Sequence, residues 1–537
     1  MSWKNPIRIV TAASLFDGHD ATINIMRRIL QDLGAEVIHL GHNRSVADVV
    51  KAVLQEGAQG VCVSSYQGGH MEYFKYMKDL LDSAGASNRR IFGGGGGVIV
   101  HEEKLQLEAY GIAQIFRPDD GRRMGLEGMI RSILEQCDFD VCANLKISSH
   151  SKASLESVPS FELGLALTAL ENGSEIAHLG SYGLDSFQRS SGGEAPLVLG
   201  ITGTGGAGKS SLIDELAQRF LNSFPTKKIA LVCVDPSKKK TGGSLLGDRI
   251  RMNSLSRDRI YMRSVATRGS GREIAQSLPK ILNFLKRLDF DLIIAETSGI
   301  GQGSTAITEV SDKTLYVMTS DFGAQSQLEK IDMIDFADVI AVNKADRRGA
   351  QDALRDVTKQ FKRSRKIFDD RDVSVFLTQA SQFNDGGVNS LFQDLMSQLG
   401  YKFSDKVSSP LVSSEEQVII PPERQGYLAE IVTTIRKYKT RVHKLSDSVS
   451  KAGALERLQG EGLFDSEKMI QLQKALLKDL TTEENQKLKD WNQFQKTYSQ
   501  DELCFDVRGR EIRQSLSVKS LSGTRIPRVS IPHFSDW

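Results

Sequence analysis

The residues with the clearest chemical capability lie in one glycine-rich loop that ends in a lysine and a serine. An apolar run, 197–201, leads into Gly203-Thr-Gly-Gly-Ala-Gly-Lys-Ser210, and the pattern that follows predicts an amphipathic helix. This is the G-x(4)-G-K-[ST] motif in its strand-loop-helix setting: backbone N–H groups turn towards a phosphate, the lysine reaches the outer phosphates, and the serine ligates Mg2+. We predict a phosphate site, with Lys209 and Ser210 as catalytic residues, made of Gly203, Gly206, Ala207, Gly208, Lys209, Ser210 and Ser211.

Acidic residues follow two other predicted strands and have the chemistry of a magnesium site. Asp235 follows the apolar run 229–234, and Glu296 follows the run 291–295. Because Mg2+ prefers hard oxygen ligands, carboxylates at the ends of strands beside a phosphate loop are suited to hold it. We assign Glu296 a catalytic role there, and we expect the N–H of Gly299 to face the γ-phosphate.

The sequence Asn343-Lys344-Ala345-Asp346 follows a further apolar run and predicts recognition of guanine. The Asp346 carboxylate can accept hydrogen bonds from N1–H and the 2-amino group of guanine, whereas adenine has no such donors at that edge. Since a buried carboxylate without a donor costs about 1–3 kcal/mol or more, GTP is favoured over ATP as the substrate.

The elements that must position these loops alternate between strand and helix patterns, and the same alternation fills residues 1–147. Strands are predicted near residues 7, 36, 60 and 90, which is typical of an α/β, flavodoxin-like doubly wound sheet. Such sheets bind ligands at the carboxyl ends of their strands. Three loops there are unusual: 16–20, 64–70 and the glycine run 93–97. We expect the glycines to admit a bulky ligand, because they give up packing and backbone entropy.

His19 in the first of these loops is a candidate metal ligand. A histidine alone is common in exposed loops, but a ligating imidazole usually donates its other N–H to a carboxylate, and Asp17 lies two residues away. The loops resemble the cobalamin-binding domain of coenzyme-B12-dependent acyl-CoA mutases, although Thr22 stands where the motif D-x-H-x-x-G has its glycine. The resemblance implies adenosylcobalamin as cofactor, His19 as axial cobalt ligand oriented by Asp17, and a nucleotide-tail site made of Gly18, Ser64, Gly94 and Gly95.

The nucleotide-binding half resembles the methylmalonyl-CoA mutase-associated GTPase chaperones. The likeness rests on Val-Asp-Pro-Ser at 234–237, on residues 242–252 and on Glu-Thr-Ser-Gly-Ile-Gly-Gln at 296–302. It implies that Arg251 in a switch loop contacts GTP. It also implies a set of Mg2+ contacts made of Ser210, Asp235, Asp248, Glu296 and Thr297.

Composition and pattern divide the chain into five parts. We predict a cobalamin-binding domain at 1–147, a linker at 148–194 with short helices near 163–170 and 176–179, a P-loop GTPase at 195–400, a helical linker or docking arm at 401–505, and a last segment at 506–537. A solvated helical spacer without a partner is the alternative for 401–505. This order resembles the N-terminal half of the fused isobutyryl-CoA mutases, in which the last segment precedes a substrate-binding barrel.

Charge and cysteine content exclude several classes of function. The 69 basic and 67 acidic residues leave a net charge of +2, so neither nucleic acid nor a membrane is expected as a partner. The N-terminal residues do not have the charged-then-apolar pattern of a signal peptide, and no apolar run is long enough to span a bilayer. Five scattered cysteines without C-x-x-C spacing suit a reducing compartment, and we expect Cys62 and Cys233 to pack in the core of a cytoplasmic protein.

Three functions remain open at this point. The first, implied by the resemblance, is the cobalamin and GTPase portion of an isobutyryl-CoA/n-butyryl-CoA mutase, which needs a separate barrel subunit for isomerisation and forms a homo-oligomer such as a dimer. In it, GTP hydrolysis gates the loading and protection of the cofactor. The second is a stand-alone GTP-driven cobalamin chaperone. The third is a cobalamin-sensing regulator, disfavoured by the lack of a DNA-binding pattern.

Overall fold

A computed structural model describes most of the chain. The described residues are 3–19, 21–143, 160–174, 195–269, 274–299, 305–322, 328, 331–366, 373–403, 426–460, 466–507, 510–532 and 534. Their contacts form two compact units, 1–417 and 418–537. The predicted helix at 176–179 lies outside the described residues.

The first sheet has the parallel, doubly wound architecture that the sequence predicts. Its strands are β1 (Arg8–Ala13), β2 (Glu36–His39), β3 (Gly60–Ser64), β4 (Arg90–Gly94) and β5 (Gln114–Phe116). Their order, β5-β4-β3-β1-β2, is that of flavodoxin-like sheets. The connecting helices are α1 (Ala21–Asp32), α2 (Val46–Gln55), α3 (His70–Ser83), α4 (His101–Tyr110) and α5 (Pro118–Cys137). Helix α5 has a break at Gly125 (φ 67°).

The second sheet carries the phosphate loop and is also parallel throughout its described strands. These are β6 (Leu197–Gly203), β7 (Ile229–Asp235), β9 (Ile260–Ala266), β10 (Leu292–Glu296), β11 (Lys313–Thr319), β12 (Val339–Asn343) and β13 (Val375–Thr378), in the order β13-β12-β11-β6-β10-β7-β9. Its helices are α7 (Lys209–Ser223), α8 (Leu278–Leu285), α9 (Met333–Phe336), α10 (Ala350–Arg365) and α11 (Gly386–Gln398). β6 is central, so the loop after it lies at the middle of the sheet's carboxyl edge.

A strand from the nucleotide-binding half completes the first sheet. β8 (Ser244–Leu246) pairs in parallel with β2, in the register Glu36↔Ser244 to Ile38↔Leu246. Gly243 approaches α1 so closely that a Cβ there would lie 2.0 Å from the Gln31 carbonyl oxygen. The residues that follow β8 form a 3-10 helix, Asp248–Arg251, beside the phosphate loop. One short segment therefore belongs to both halves of the unit.

Buried ion pairs hold the two halves together. We call this set of side chains the junction network: Arg8, Glu36, Glu56, Glu171, Arg249, Arg263 and Arg268. Its carboxylates come from β2, from the end of α2 and from α6 (Ser160–Glu171), the helix predicted near 163–170, and most of its guanidinium groups come from the second half. Burial alone would raise the pKa of Glu36, but the guanidinium groups of Arg8 and Arg268 outweigh it and lower that pKa to about 2.

The second unit is mainly helical, as predicted for 401–505. Its helices are α12 (Tyr427–Gly460), α13 (Ser466–Leu476) and α14 (Thr482–Tyr498). Thr481 caps α14 through a capping box with Glu484, which the sequence Thr-Thr-Glu-Glu predicts. Two antiparallel pairs follow, β14 (Glu502–Val507) with β15 (Arg510–Ser515), and β16 (Ser517–Lys519) with β17 (Arg525–Pro527).

Candidate functional site

The glycine-rich loop has the geometry of a phosphate cradle at the start of α7. Gly206 (φ 75°) and Gly208 (φ 93°) adopt left-handed backbone conformations that favour glycine. The Lys209 ammonium is buried and donates to the carbonyl oxygens of Gly203 (3.1 Å) and Thr204 (3.2 Å). A Cβ at Gly299 would lie 2.3 Å from the Lys209 Nζ. Gly299 therefore lies directly against the cradle.

The guanine-recognition loop is fastened to the phosphate loop. The Asn343 side-chain amide donates to the Ala207 carbonyl oxygen (2.8 Å), and the Lys344 ammonium donates to that of Gly206 (2.7 Å). The Asn343 side-chain oxygen accepts from the N–H of Ala380 (3.1 Å), in the loop after β13. Sequence reasoning missed this last loop, although its place after a parallel strand of the same sheet is a usable signal.

The two residues expected to touch GTP from more distant positions are both solvent-exposed. Asp346 follows Lys344, whose φ of 63° turns the chain beyond β12, and its carboxylate faces solvent. Arg251 is likewise exposed at the end of the 3-10 helix. Neither side chain lies within the cradle formed by the phosphate loop. Only a nucleotide that extends beyond the cradle can therefore contact them.

Acidic side chains converge on the first turn of α7. The Ser210 hydroxyl lies 2.8 Å from Asp248 Oδ1 and 3.1 Å from Glu296 Oε1. Burial and the charge of Asp248 raise the pKa of Glu296 to about 8, against the opposing effect of Lys209. Burial, with Asp248 and Glu296, also raises the pKa of Asp235 well above its usual range. The structure thus brings four of the five predicted magnesium contacts together.

This cluster has more acceptors than donors, which suits a cation. Asp235 Oδ2 and Glu296 Oε2 are both buried, and neither has a hydrogen-bond partner within the described part of the chain. A hydroxyl has one hydrogen, so Ser210 satisfies only one carboxylate at a time. Oxygen ligands in this excess fit Mg2+. The Thr297 hydroxyl is buried and shares a 2.8 Å hydrogen bond with the hydroxyl of Thr202.

A thiol completes the same cluster. Cys233 is buried, as the prediction of a core position requires, but its Sγ lies within 4.8 Å of carboxylate oxygens of Asp248 and Glu296. Burial, with Glu296 and Asp248 adding to it, raises the pKa of this thiol well above its usual range. The sequence contained a signal for this placement. Residues two positions apart in a strand share a face, so Cys233 and Asp235 lie on the same face of β7.

A second candidate site lies at the carboxyl edge of the first sheet. The Asp17 carboxylate is buried and accepts hydrogen bonds from the N–H (2.9 Å) and Nδ1 (2.9 Å) of His19 and from the N–H of Tyr66 (2.7 Å). Burial alone would raise the pKa of Asp17, but these donors outweigh it and lower that pKa. The His19 side chain is 73% exposed. Asp17 therefore holds the imidazole through Nδ1, which leaves Nε2 directed away from the Asp17 carboxylate.

A mainly apolar cavity of about 240 Å³ adjoins this histidine loop. Ser64, Gly94 and Gly95, which the resemblance assigns to the nucleotide-tail site, line it together with apolar side chains of α1 and α5. The Ser64 hydroxyl is buried and has no hydrogen-bond partner among the described residues. An unpaired hydroxyl in an apolar slot fits a flat ligand that carries a polar group, which is the character of a cobalamin nucleotide tail. Gly18 lies in the exposed histidine loop, with open space where a Cβ would stand.

Packing within the protein requires glycine at part of the glycine run. This finding corrects the expectation that only a ligand requires these glycines. Gly93 belongs to β4, where a Cβ would lie 2.4 Å from the Phe74 ring. A Cβ at Gly95 would lie 1.9 Å from the Ser65 carbonyl oxygen. Close packing against α3 and the loop after β3 therefore forbids side chains at these positions, whatever the ligand.

The other loop histidines are less suited to ligate a metal than His19. His70 is buried at the start of α3, where its Nε2 pairs with Glu103 (2.9 Å) and its Nδ1 lies 3.2 Å from the Gln67 carbonyl oxygen. His42 is exposed, and no orienting carboxylate is recorded for it among the described contacts.

The junction network joins the GTPase site to the first sheet and its helices through adjacent residues. Asp248 contacts the phosphate-loop serine, and Arg249 next to it donates to Glu56 Oε1 (3.0 Å) and to the side chain of Gln55, at the end of α2. The Lys51 ammonium also donates to the carbonyl oxygens of Leu255 (2.8 Å) and Arg257. Sequence reasoning missed these residues, because contacts across some 200 positions leave no local pattern.

The fold and the sites together define a P-loop GTPase joined to a B12-binding domain. Residues 163–489 match the family described as methylmalonyl-CoA mutase-associated GTPase MeaB, and residues 7–126 match the B12 binding domain. The chain belongs to the MeaB family of mutase-associated GTPases, here preceded by a B12-binding domain.

Relatives with a similar combination are longer than this chain. It is 49% identical over 560 residues to the fused isobutyryl-CoA mutase of Geobacillus kaustophilus, and 49% identical over 548 residues to that of Cupriavidus metallidurans. These matches cover 99% of this chain but 50% and 49% of the relatives, so the chain spans about half their length. The GTPase ArgK of Escherichia coli is 34% identical over 28% of this chain and 44% of its own length.

No helix that the structure describes has both the length and the apolar character needed to cross a bilayer.

Proposed function

We propose that this chain is the cobalamin-binding and GTP-hydrolysing portion of an adenosylcobalamin-dependent acyl-CoA mutase that interconverts isobutyryl-CoA and n-butyryl-CoA. The observation that carries the proposal is the segment 244–249, which adds a strand to the cobalamin sheet and places Asp248 against the phosphate loop. Such a segment suits a GTPase whose task concerns the neighbouring cofactor. The identity to fused isobutyryl-CoA mutases supports the choice of substrate.

At the GTPase site, the chain's own residues act by position and charge. We infer that Lys209 leaves the carbonyl oxygens of Gly203 and Thr204 to contact the outer phosphates, where its charge stabilises the transition state. Ser210 and the carboxylates of Asp248 and Glu296 hold Mg2+ beside it. Asp346 selects guanine, and Asn343 fixes the distance between base and phosphates by tying the two loops together.

At the cobalamin site, Asp17 holds His19 so that Nε2 faces outwards, where it would bind the cobalt of the cofactor, and the cavity beside Ser64 would hold the nucleotide tail. The adenosyl form of the cofactor supplies the radical that starts a carbon-skeleton rearrangement. Isomerisation also needs an enclosure that keeps the acyl-CoA away from water. We assign that enclosure to a partner domain or subunit corresponding to the part of the relatives that this chain does not span.

The test has two separate measurements. GTP and ATP hydrolysis are measured on the purified chain with Mg2+, where we expect GTP selectivity that Asp346→Asn reduces. Equal use of both nucleotides would contradict the assignment of the base site.

Isomerisation is then measured with adenosylcobalamin and isobutyryl-CoA, with and without the C-terminal half of a fused isobutyryl-CoA mutase. We expect n-butyryl-CoA only when both polypeptides are present. Isomerisation by this chain alone, or none by the combination, would contradict the proposed role. GTP hydrolysis and cobalamin binding without activity in the combination would favour a stand-alone chaperone.

A further inference from the structure

The cluster at the carboxyl ends of β7 and β10 contains a ligand that a magnesium site does not use. Cys233 and Glu296 are paired across these two neighbouring strands, and both side chains are almost completely buried, at 1% and 3% exposure. The Cys233 Sγ and one carboxylate oxygen each from Asp248 and Glu296 all lie within 4.8 Å of one another. Thiolate sulfur is a soft ligand that favours ions such as Zn2+ and Co2+ over Mg2+.

An independent observation concerns the carboxylate oxygens of this cluster. Glu296 Oε2 has no hydrogen-bond partner within the described residues, and the same holds for Asp235 Oδ2 beside it. A buried carboxylate oxygen without a donor is costly, and a bound cation removes that cost. The Lys209 ammonium donates to two carbonyl oxygens of the phosphate loop and also stabilises the charged form of Glu296.

The spacing suits a transition-metal ion. Zinc lies about 2.3 Å from sulfur and about 2.0–2.2 Å from carboxylate oxygen in a tetrahedral shell, so two of its ligand atoms lie about 3.4–3.7 Å apart. The separations between the three ligand atoms, at most 4.8 Å, must therefore shorten by up to about 1 Å when the metal binds. The Ser210 hydroxyl, 2.8 Å from Asp248, lies beside the same position.

We propose that this site binds a thiophilic divalent cation such as Co2+ or Zn2+ through the sulfur of Cys233 and the carboxylates of Asp248 and Glu296, without nucleotide and more tightly than it binds Mg2+. On coordination the thiol releases its proton to solvent and the sulfur binds as thiolate. The inference deepens the magnesium site of the proposed function and shares its location. Cys233 is then the residue that sets which metal the GTPase site accepts.

The test is a titration of the nucleotide-free and cobalamin-free full chain with Co2+. A cobalt–thiolate bond gives an intense charge-transfer absorption in the near ultraviolet, whereas oxygen and nitrogen ligands do not. We expect this absorption in the unmodified protein and in Cys504→Ser, which removes an exposed thiol of the second unit. In Cys233→Ser we expect the absorption to disappear and the Co2+ affinity to fall at least about tenfold, since even orienting groups contribute that much.

A second measurement does not depend on any variant. X-ray absorption of the protein loaded with one equivalent of Zn2+ should contain one zinc–sulfur distance of about 2.3 Å. Absence of sulfur from the zinc shell, or an unchanged cobalt absorption in folded Cys233→Ser, would overturn the proposal.

The two proposals fail in different ways. Mg2+-supported GTP hydrolysis without any cobalt–thiolate absorption would leave the GTPase assignment standing and remove only the role of Cys233. A cobalt–thiolate absorption in a protein that does not hydrolyse GTP would support the role of Cys233 and contradict the GTPase assignment.

Discussion

Glu56 lies where the two halves of the first unit meet, and its removal tests the junction network most directly. Its side chain is fully buried at the end of α2. The carboxylate accepts hydrogen bonds from Arg249 (3.0 Å) and from the N–H and hydroxyl of Ser264 (3.0 Å each), and Arg8 lies 3.7 Å away. The change Glu56→Ala removes the anion and leaves these buried donors in place.

The size of the effect follows from what each donor retains. Arg8 keeps its ion pairs with Glu36 and Glu171, both at 2.7 Å, so its charge stays compensated. Among the described residues, Arg249 keeps two neutral acceptors, the side chain of Gln55 and the Met262 carbonyl oxygen. Breaking a buried pair costs about 3–5 kcal/mol, and the remaining acceptors favour the lower end, about 3 kcal/mol. At about 2 °C per kcal/mol for large domains, the melting temperature should fall by about 6 °C.

Thermal unfolding followed by circular dichroism measures this, with Glu127→Ala as the matched control. Glu127 pairs with Arg131 on the surface (2.7 Å), and its side chain is 63% exposed. Loss of such a pair costs about 0.2–1 kcal/mol. If Glu56→Ala lowered the melting temperature no more than the control does, the two halves would not be held as described. Combining it with Arg249→Met should recover part of the loss, because no buried charge is then left unpaired.

Other predictions follow from the two sites and the network. Lys209→Ala should lower the turnover number of GTP hydrolysis about 100-fold or more, because a transition-state charge contact is lost; unchanged turnover in a steady-state phosphate-release assay would refute the role. His19→Ala should abolish the protein-derived nitrogen splitting in the electron paramagnetic resonance spectrum of bound cob(II)alamin, and Asp17→Asn should only weaken cobalamin binding, about 10- to 100-fold. Glu36, with its pKa lowered to about 2, stabilises the fold above its unfolded pKa of 4.5, and this contribution is lost as pH falls from about 5 towards 2. Urea unfolding across that range should show a weaker pH dependence in Glu36→Gln; an equal dependence would exclude the assignment.

Local patterns predicted the parts of this molecule that depend on local chemistry. The phosphate loop needs only neighbouring residues and a helix start, so its strand and helix were found at β6 and α7. The pairing of Asp17 with His19 spans two positions and was also found. The same holds for the start of α14, where Thr481 and Glu484 are three residues apart.

What sequence reasoning missed depends on contacts between distant residues. β8 is only three residues long, and its sequence, Ser-Leu-Leu, has no pattern that identifies β2 as its neighbour some 200 positions earlier. Sequence reasoning ascribed Gly93 and Gly95 to a ligand. The contacts that exclude side chains there come from Phe74 and Ser65, which the fold places opposite these glycines and which no local pattern identifies. Cys233 was assigned to the core on its apolar surroundings, and only the pairing of β7 with β10 places it beside Glu296.

The pairing of β8 with β2 has a consequence for the synthesis of the chain. While a ribosome has released only the first 147 residues, the backbone N–H and C=O groups along the outer edge of β2 have no strand beside them. An unpaired edge of a parallel sheet is a template for strands of other molecules. About 100 more residues must emerge before Ser244–Leu246 can cover that edge. The nascent first sheet is therefore exposed to edge-to-edge association during translation, and a fragment that ends before β8 keeps that exposure permanently.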